Sequence, residues 1–342
     1  MLDTHVSLYR KYRPGNFKEV AGQEDVIDLL SKALKTKKLA HAYLFCGGRG
    51  TGKTSVARIL AREIGCNPED IIEIDAASNR GIDEIRELRE AVRSMPFSSP
   101  YKVYIVDEVH MLTKEAANAL LKTLEEPPAH VIFILATTDP DKLPQTIVSR
   151  CQKVEFKQPS VEVLSKVLIQ VAQSEEKSLD NDAALLLAAH GKGSYRDALG
   201  ILEQVITRSS KKVIVREDVE VLLGIPSEEA LCTLLKAMCV NDTLTLVNTL
   251  SELKAKNISA HMVHRELVEY TRIALLARLG EDSIAKHPLE NVQATLKELG
   301  ITYPKVINSA KVLYLLEGSK YLIVPAVNAY TPLEMLLIGD AE

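Results

Sequence analysis

Short apolar runs alternate with amphipathic stretches along residues 1–157. Between the runs, apolar residues recur at the three- and four-residue spacing of a helix, as in the series Ile82, Ile85, Leu88 and Val92. The apolar runs themselves predict five strands, at residues 42–46, 71–75, 101–107, 131–137 and 153–156. Strands that alternate with helices predict βαβ units and a mostly parallel sheet.

The pattern changes after residue 157 to a purely helical one. Residues 161–172, 182–189 and 195–207 carry apolar side chains at helical spacing, and Gly224-Ile225-Pro226 interrupts the pattern. Leu, Ala and Val then dominate helical patterns to the end of the chain. We predict an α/β domain over residues 1–157, a small helical domain over 158–225 and a second helical domain over 226–342.

Composition places the chain among ordinary globular proteins, with 46% hydrophobic and 26% charged residues. The longest early apolar run is far shorter than the roughly 20 residues that span a bilayer, and no apolar core follows the basic amino terminus. We therefore expect a cytoplasmic protein without a membrane segment. Five cysteines without a CxxC pair fit neither a disulfide framework nor a zinc signature, and they stand at positions 46, 66, 151, 232 and 239.

The strongest chemical signal is a complete GxxxxGK[ST] loop between a predicted strand and a predicted helix. Its glycines allow backbone N–H groups to face a phosphate, while Lys53 reaches the β- and γ-phosphates and Thr54 offers its hydroxyl to Mg²⁺. The alternative, a glycine-rich turn that binds nothing, is disfavoured by the strand before it and the helix after it. The loop consists of Gly47, Gly48, Arg49, Gly50, Thr51, Gly52, Lys53 and Thr54.

A second signal is the strand that ends in Asp107 and Glu108. It places two carboxylates at the carboxyl edge of a parallel sheet, where such sheets bind ligands. Asp107 is suited to hold Mg²⁺ through water, and Glu108 to polarise an attacking water. Two acids often end a strand by chance, but the phosphate loop about 50 residues earlier favours the functional interpretation.

Three weaker candidates stay open on pattern alone. Thr137 and Thr138 end a buried strand, where a hydroxyl orients a water or simply begins a turn. Arg150 either stabilises phosphoryl charge at a neighbouring subunit's nucleotide or forms a surface salt bridge, and the pattern favours the salt bridge. Arg196, near the start of a helix, either senses a γ-phosphate or is an exposed arginine.

Six segments together resemble the bacterial DNA polymerase III gamma/tau subunits, the clamp-loader ATPases of the AAA+ superfamily. The resemblance is close over about residues 5–224 and loose beyond. The segments are SLYRKYRPGNFKEVAGQE (7–24), HAYLFCGGRGTGKTS (41–55), YKVYIVDEVHML (101–112), NALLKTLEEPP (118–128), ILATTDPDKLPQTIVSRC (134–151) and GSYRDAL (193–199).

The resemblance implies a role for each open candidate. Arg150 would be an arginine finger that acts in trans, Arg196 the second sensor, and Thr138 with Thr137 the first sensor. The second domain would be a lid, and the third a collar that joins a hetero-pentamer of clamp-loader subunits. The amino-terminal residues that would wrap adenine and ribose are Leu8, Tyr12, Arg13 and Val20.

The implied function is that of an ATPase motor subunit, with ATP and Mg²⁺, that opens a sliding clamp and loads it onto primer–template DNA. Two alternatives are another AAA+ DNA-remodelling ATPase and a non-hydrolysing scaffold subunit of the same complex. The complete loop at 47–54 disfavours the scaffold. Although the family is associated with DNA-directed DNA polymerase, nothing in this chain resembles a polymerase site, because the clustered acids serve the nucleotide.

Two departures from the family pattern change the expectations. Family members usually carry a four-cysteine zinc module, whereas residues 66–70 here hold one cysteine, so we expect no zinc. The chain also ends after the third domain, so we expect it to lack the tail of the longer tau form.

Charge is distributed unevenly. The net charge is −4, yet residues 1–62 carry 12 basic and 5 acidic side chains. Positive charge therefore concentrates around the phosphate loop. For DNA, Arg80 and Arg86 at the start of a predicted helix are candidates for backbone phosphate contacts, and a solvated helix face is an equally good interpretation.

Overall fold

The computed structural model describes residues 6–79, 81–280, 287, 290–322 and 330–338; of residues 82–84 and 86 it describes only the backbone. The chain forms two compact units, Met1–Ile214 and Val215–Glu342. The finer division of the chain at residues 158 and 226 stays a prediction.

Five parallel strands form the central sheet of the first unit's described residues, in the order β2-β3-β4-β1-β5. The predicted parallel sheet is confirmed, and the strand bounds differ from the predicted ones by at most one residue. The strands are β1 (Ala42–Gly47), β2 (Ile71–Asp75), β3 (Lys102–Asp107), β4 (Val131–Thr137) and β5 (Gln152–Phe156).

Helices cover both faces of this sheet, which explains why its central strands are apolar throughout. All seven residues of β4 are buried, as expected for a parallel strand packed on both sides. On one face Tyr104 stacks on Phe133 with ring centroids 5.6 Å apart. The helices of this part are α1 (Leu8–Lys11), α2 (Glu24–Lys35), α3 (Lys53–Glu63), α4 (Ile82–Ala91), α5 (Lys114–Glu125) and α6 (Gln145–Val148).

A group of helices follows the sheet within the same unit. These are α7 (Val161–Ser174), α8 (Asn181–His190) and α9 (Tyr195–Arg208), with a short parallel pair of β6 (Ser178–Leu179) and β7 (Val213–Ile214). Hydroxyl side chains define the starts of two helices, since Ser160 accepts from the Val163 N–H and Ser194 from the Asp197 N–H. The cap at Ser194 therefore fixes the residue at which α9 begins.

The described residues of the second unit are helical. They pack around a core that includes Leu234, Leu267, Leu296 and Leu333, as the helical spacing after residue 226 predicts. No described helix of the chain has the length and apolar character to cross a bilayer. The helices are α10 (Arg216–Leu223), α11 (Glu228–Val240), α12 (Thr243–Ala255), α13 (Ala260–Arg278), α14 (Glu290–Thr302), α15 (Ser309–Leu322) and α16 (Thr331–Ile338).

Candidate nucleotide site

A cavity of about 550 Å³ lies at the carboxyl edge of the sheet, between the strand ends, the amino-terminal segment and the helices α7 and α9. Its position is the one where parallel α/β sheets bind ligands. The predicted site residues among its lining are Tyr12, Arg13, Val20, Arg49, Gly50, Thr51, Gly52, Lys53, Thr54, Asp107, Glu108 and Arg196.

The phosphate loop joins β1 to α3 through two residues in the left-handed region, Gly50 at φ +70° and Gly52 at φ +101°. Only glycine adopts these angles without strain. The Lys53 ammonium donates to the carbonyl oxygens of Gly47 and Gly48, both at 2.8 Å. Burial lowers the pKa of Lys53, and the carboxylates of Glu108 and Asp107 oppose that shift. The loop thus holds a buried cation beside the helix start that would face a phosphate.

Thr54 and Asp107, which the sequence analysis assigns to Mg²⁺, lie in contact with each other. The Thr54 hydroxyl donates to Asp107 Oδ2 at 2.7 Å, and Asp107 Oδ1 accepts the Glu108 N–H at 3.0 Å. A hydroxyl and a carboxylate at the edge of a phosphate site are the hard oxygen ligands that Mg²⁺ takes, usually with waters completing its shell. The chemistry of these two side chains therefore suits the binding of Mg²⁺.

Glu108 has a backbone φ of +50°, in the left-handed region, an unusual conformation that points to a functional constraint. Its carboxylate Oε2 accepts from the Thr138 hydroxyl at 3.0 Å and from the Thr138 N–H at 3.3 Å. His110 Nδ1 lies 3.4 Å from the same oxygen and 2.9 Å from the Thr137 hydroxyl. Thr138 therefore bonds to Glu108 directly, although it does not line the cavity, whereas Thr137 contacts His110 beside Glu108.

His110 was missed from the sequence. A histidine two residues after Glu108 has no spacing of its own that indicates a role. Only its position in the segment YKVYIVDEVHML marked it.

Helix α9 touches the phosphate loop directly. The Tyr195 N–H donates to the Gly50 carbonyl at 3.0 Å, and the Tyr195 hydroxyl donates to the Ala21 carbonyl at 2.7 Å. A Cβ added to Gly50 would lie only 2.0 Å from the Ser194 hydroxyl oxygen. These contacts bring the next residue, Arg196, to the cavity wall.

The amino-terminal segment contributes three of its four predicted residues to the cavity. Tyr12, Arg13 and Val20 line it, whereas Leu8 is buried and lies outside the lining. The Tyr12 hydroxyl donates to Glu175 Oε1 at 2.6 Å, and burial, followed by this carboxylate, raises the pKa of Tyr12. Burial lowers the pKa of Arg13, with the Arg58 charge acting in the same direction. The segment is therefore attached to α7 and closes one side of the cavity.

Arg150 lies away from the cavity. Its guanidinium donates to the Thr146 carbonyl and to Glu125 Oε1, both at 2.7 Å, and its side chain is 34% exposed. The surface ion pair is therefore present within this chain. A role in trans concerns a neighbouring subunit and stays a prediction.

The two candidates for DNA contacts, Arg80 and Arg86, stay predictions. Arg80 lies outside the described residues, and Arg86 lies in α4 with its side chain outside the description. In the described part of the chain no cluster of three or more His, Cys, Asp or Glu residues suits a metal ion. The expected absence of zinc stays a prediction.

Family models match the chain in two regions. The model described as "DNA polymerase III, delta subunit" matches residues 22–79 and 67–160, and the model of the "DNA polymerase III clamp loader subunit, ATPase lid domain" matches residues 163–211.

Relatives with closely similar sequences come from several bacteria. The chain is 38% identical over 322 residues to the DNA polymerase III subunit tau of Bacillus subtilis, covering 88% of this chain and 57% of that protein. It is 36% identical over 282 residues to the DNA polymerase III subunit gamma of Buchnera aphidicola subsp. Schizaphis graminum, covering 75% of this chain and 77% of that protein. The chain thus spans about half the length of the first curated relatives.

A solved structure of the Thermotoga maritima RuvB Holliday junction branch migration motor resembles the fold, with a TM-score of 0.55 and 24% identity over 66% of this chain and 79% of that one. The parallel sheet, phosphate loop and helical lid together define a P-loop NTPase of the AAA+ type. Within that class, the match to relatives along most of their length decides the family. The chain belongs to the DNA polymerase III gamma/tau family of clamp-loader subunits.

Proposed function

We propose that this chain is an ATPase motor subunit of a bacterial replicative clamp loader, which opens a sliding clamp and loads it onto primer–template DNA. One observation carries the proposal: Lys53, Thr54, Asp107 and Glu108 meet at one edge of the sheet, beside a cavity that Arg196 also lines. Binding, water activation and sensing of the terminal phosphate need these groups together.

The geometry supports a definite division of labour. The loop N–H groups and the start of α3 would bind the β-phosphate of ATP, and Lys53 would exchange its two carbonyl partners for phosphate oxygens. Mg²⁺ held by Thr54 and Asp107 would neutralise charge on the phosphates. Glu108 would accept a proton from the water that attacks the γ-phosphorus, and its bonds to Thr138 would couple it to the first sensor.

Assembly with other clamp-loader subunits, into a hetero-pentamer, would complete the site. In that arrangement the partly exposed Arg150 would leave Glu125 and stabilise charge on the transferring phosphoryl group of a neighbouring subunit. In the free subunit, the ion pair with Glu125 would compensate the charge of Arg150 until a neighbouring subunit binds. Sliding clamp and primer–template DNA are the further partners we propose, with Arg80 and Arg86 as candidates for DNA backbone contacts and the cytoplasm as the location.

The alternatives have weaker support. A different AAA+ motor on DNA shares the fold, but the gamma/tau relatives match the chain at 36–42% identity. A non-hydrolysing scaffold subunit does not need Glu108 bonded to the first sensor beside an intact loop.

Phosphate release by the purified chain, assembled with its partner subunits, tests the proposal. We expect hydrolysis of ATP that rises when clamp and primed DNA are added. Arg150→Ala should abolish the stimulated rate and leave ATP binding by the free chain unchanged, because Arg150 lies outside its own cavity. Glu125→Gln is the matched control, since it frees Arg150 without removing it. Loss of ATP binding in the free Arg150→Ala chain would contradict the finger assignment.

A further inference from the structure

Tyr9 and Arg196 face each other at the wall of the cavity. The guanidinium carbon of Arg196 lies 4.9 Å from the centroid of the Tyr9 ring, and both residues line the cavity. At this distance the face of the ring attracts the cation. The two side chains come from α1 and α9, so only the folded chain brings them together.

The group that contacts a guanidinium determines whether its positive charge is still available to bind a phosphate. Arg150 is bound to the carboxylate of Glu125, which compensates its charge. An aromatic face attracts a guanidinium without neutralising it. Arg196 is therefore held in place while its positive charge stays available to an incoming phosphate.

Both residues are attached to the structure through their neighbours. The contacts of Tyr195 with Gly50 and Ala21 fix the start of α9. The Leu8 N–H donates to Glu203 Oε2 at 3.2 Å, which fixes the segment of Tyr9 to the same helix. The ring and the guanidinium therefore meet on backbones that are anchored independently of their own contact.

We propose that Tyr9 is a positioning residue for Arg196 and thereby sets how strongly the site distinguishes a nucleoside triphosphate from a nucleoside diphosphate. The inference rests on the proposed function, in which Arg196 contacts the γ-phosphate. A long arginine side chain without the ring samples more rotamers, and ordering it on the γ-phosphate then costs conformational entropy. A diphosphate lacks that phosphate, so its affinity does not depend on where Arg196 points.

Equilibrium binding of ADP and of a non-hydrolysable ATP analogue to the full chain, both with Mg²⁺, tests this. Tyr9→Leu removes the aromatic face, with Tyr9→Met as a second ring-free variant, and Tyr9→Phe keeps it. We expect the ring-free variants to weaken binding of the ATP analogue about three- to tenfold, the range of a cation–π contact. ADP affinity should stay within about twofold. Tyr9→Phe keeps the ring and loses only the hydroxyl contacts, including those with Arg10 and Arg196, so it should keep most of the affinity for the ATP analogue.

Arg196→Gln separates the inference from the proposed function. It should weaken the ATP analogue selectively, and Tyr9→Leu should then add little to it, because the ring acts through the guanidinium. Equal loss of ADP and ATP analogue in the ring-free variants, or unchanged affinity for both, would overturn the role of Tyr9 alone. If Arg196→Gln fails to discriminate between the nucleotides, the second-sensor role fails and the inference fails with it.

Discussion

The two walls of the nucleotide cavity are built in different ways. The strand-end wall consists of residues that directly end or follow β1 and β3, and its bonds join neighbours such as Thr54 and Asp107 across the sheet edge. The other wall, here the lid wall, is lined by the amino-terminal segment and by α7 and α9. It joins residues far apart in the chain, since the bonded residues Tyr195 and Ala21 are 174 positions apart. One wall is fixed by the sheet, whereas the other depends on how the lid helices and the amino-terminal segment pack.

This difference separates chemistry from sensing. The groups that would bind Mg²⁺ and activate water lie at the sheet edge, at the end of β3 and the start of α3, where their bonds to one another hold them in place without a ligand. Arg196, which would report the γ-phosphate, lies on the lid. We therefore expect changes in the strand-end wall to affect the rate of hydrolysis most, and changes in the lid wall to affect nucleotide discrimination.

The largest expected effect comes from Glu108→Gln. This change keeps the shape of the side chain but removes the general base, so hydrolysis should fall by about a hundredfold or more. ATP affinity should change little, because in the proposed mechanism Glu108 would face the attacking water and not the base or the β-phosphate. Single-turnover phosphate release together with equilibrium binding measures both. A parallel loss of binding would show that Glu108 shapes the cavity and would remove the distinction between the two walls.

Gly50→Ala should have the next largest effect, because it acts where the walls meet. Its Cβ would lie 2.0 Å from the Ser194 hydroxyl oxygen, so α9 must move away from the loop. We expect at least a tenfold loss of nucleotide affinity, on the order of 1.4 kcal/mol, together with a lower melting temperature.

Gly52→Ala is the matched control for that experiment. At φ +101° its backbone lies farther from the angles that alanine tolerates than Gly50 does at +70°, but its Cβ would meet nothing within 4 Å. Nucleotide affinity should therefore fall less than in Gly50→Ala. Equal losses in both variants would mean that strain in the loop, and not the contact with the lid, determines the affinity.

Asp70→Asn tests the opposite end of the sheet, just before β2. The buried Asp70 carboxylate accepts from the Phe97 N–H at 2.6 Å and from the Ser98 N–H at 3.0 Å. An amide replaces one of these acceptors by a donor, so the free energy of unfolding should fall by about 1–3 kcal/mol. Urea denaturation measures this loss. Nucleotide affinity should stay unchanged, and a changed affinity would show that the cavity senses the far end of the sheet.

The pH dependence of this effect has a defined sign. Burial alone would raise the pKa of Asp70, but the N–H groups of Ser98 and Phe97 and contacts with Ser99 hold it below its usual value. A carboxyl group with a lowered pKa stabilises the fold above the unfolded-state pKa of about 3.9, and this stabilisation is lost as the pH falls through the folded-state pKa. The difference between the natural chain and Asp70→Asn should therefore be constant near neutral pH and shrink in acid.

The smallest effect should come from Gly200→Ala in the lid helix α9. A Cβ at this position meets nothing within 4 Å, and alanine restricts the unfolded chain more than glycine does. We expect about 0.5–1 kcal/mol of added stability and no change in nucleotide affinity. Thermal denaturation with and without nucleotide measures both. A gain in affinity would mean that helix stability, in addition to the contacts of Arg196, sets the geometry of the lid wall.

Much of the fold could be predicted from the sequence, because its signals are local. The unbroken apolar run of β4 and the complete phosphate loop each specify their own structure within a few residues. Thr54 and Asp107 could each be assigned to Mg²⁺ in advance, one from the phosphate loop and the other from a strand end at the carboxyl edge of the sheet. The strand-end wall was therefore predictable almost in full.

The lid wall was less predictable, because its contacts depend on tertiary packing. No periodicity relates Tyr9 to Arg196 or Ser194 to Gly50. Leu8, assigned by resemblance to the nucleotide, lies outside the cavity lining, whereas its neighbour Tyr9 lies within it. In a four-residue helix, which side chain faces inward depends on packing against α9 more than on sequence.

The hydrogen bond between the Tyr195 N–H and the Gly50 carbonyl determines which truncated fragments of this chain would keep the phosphate loop intact. A fragment that stops at residue 157 would keep the strand-end wall, yet it would leave the Gly50 carbonyl and the Ala21 carbonyl without the donors that Tyr195 supplies. The phosphate loop would then depend on water for its shape. The smallest segment that preserves the loop as a nucleotide-binding element therefore extends through α9, so the lid forms part of the binding element itself.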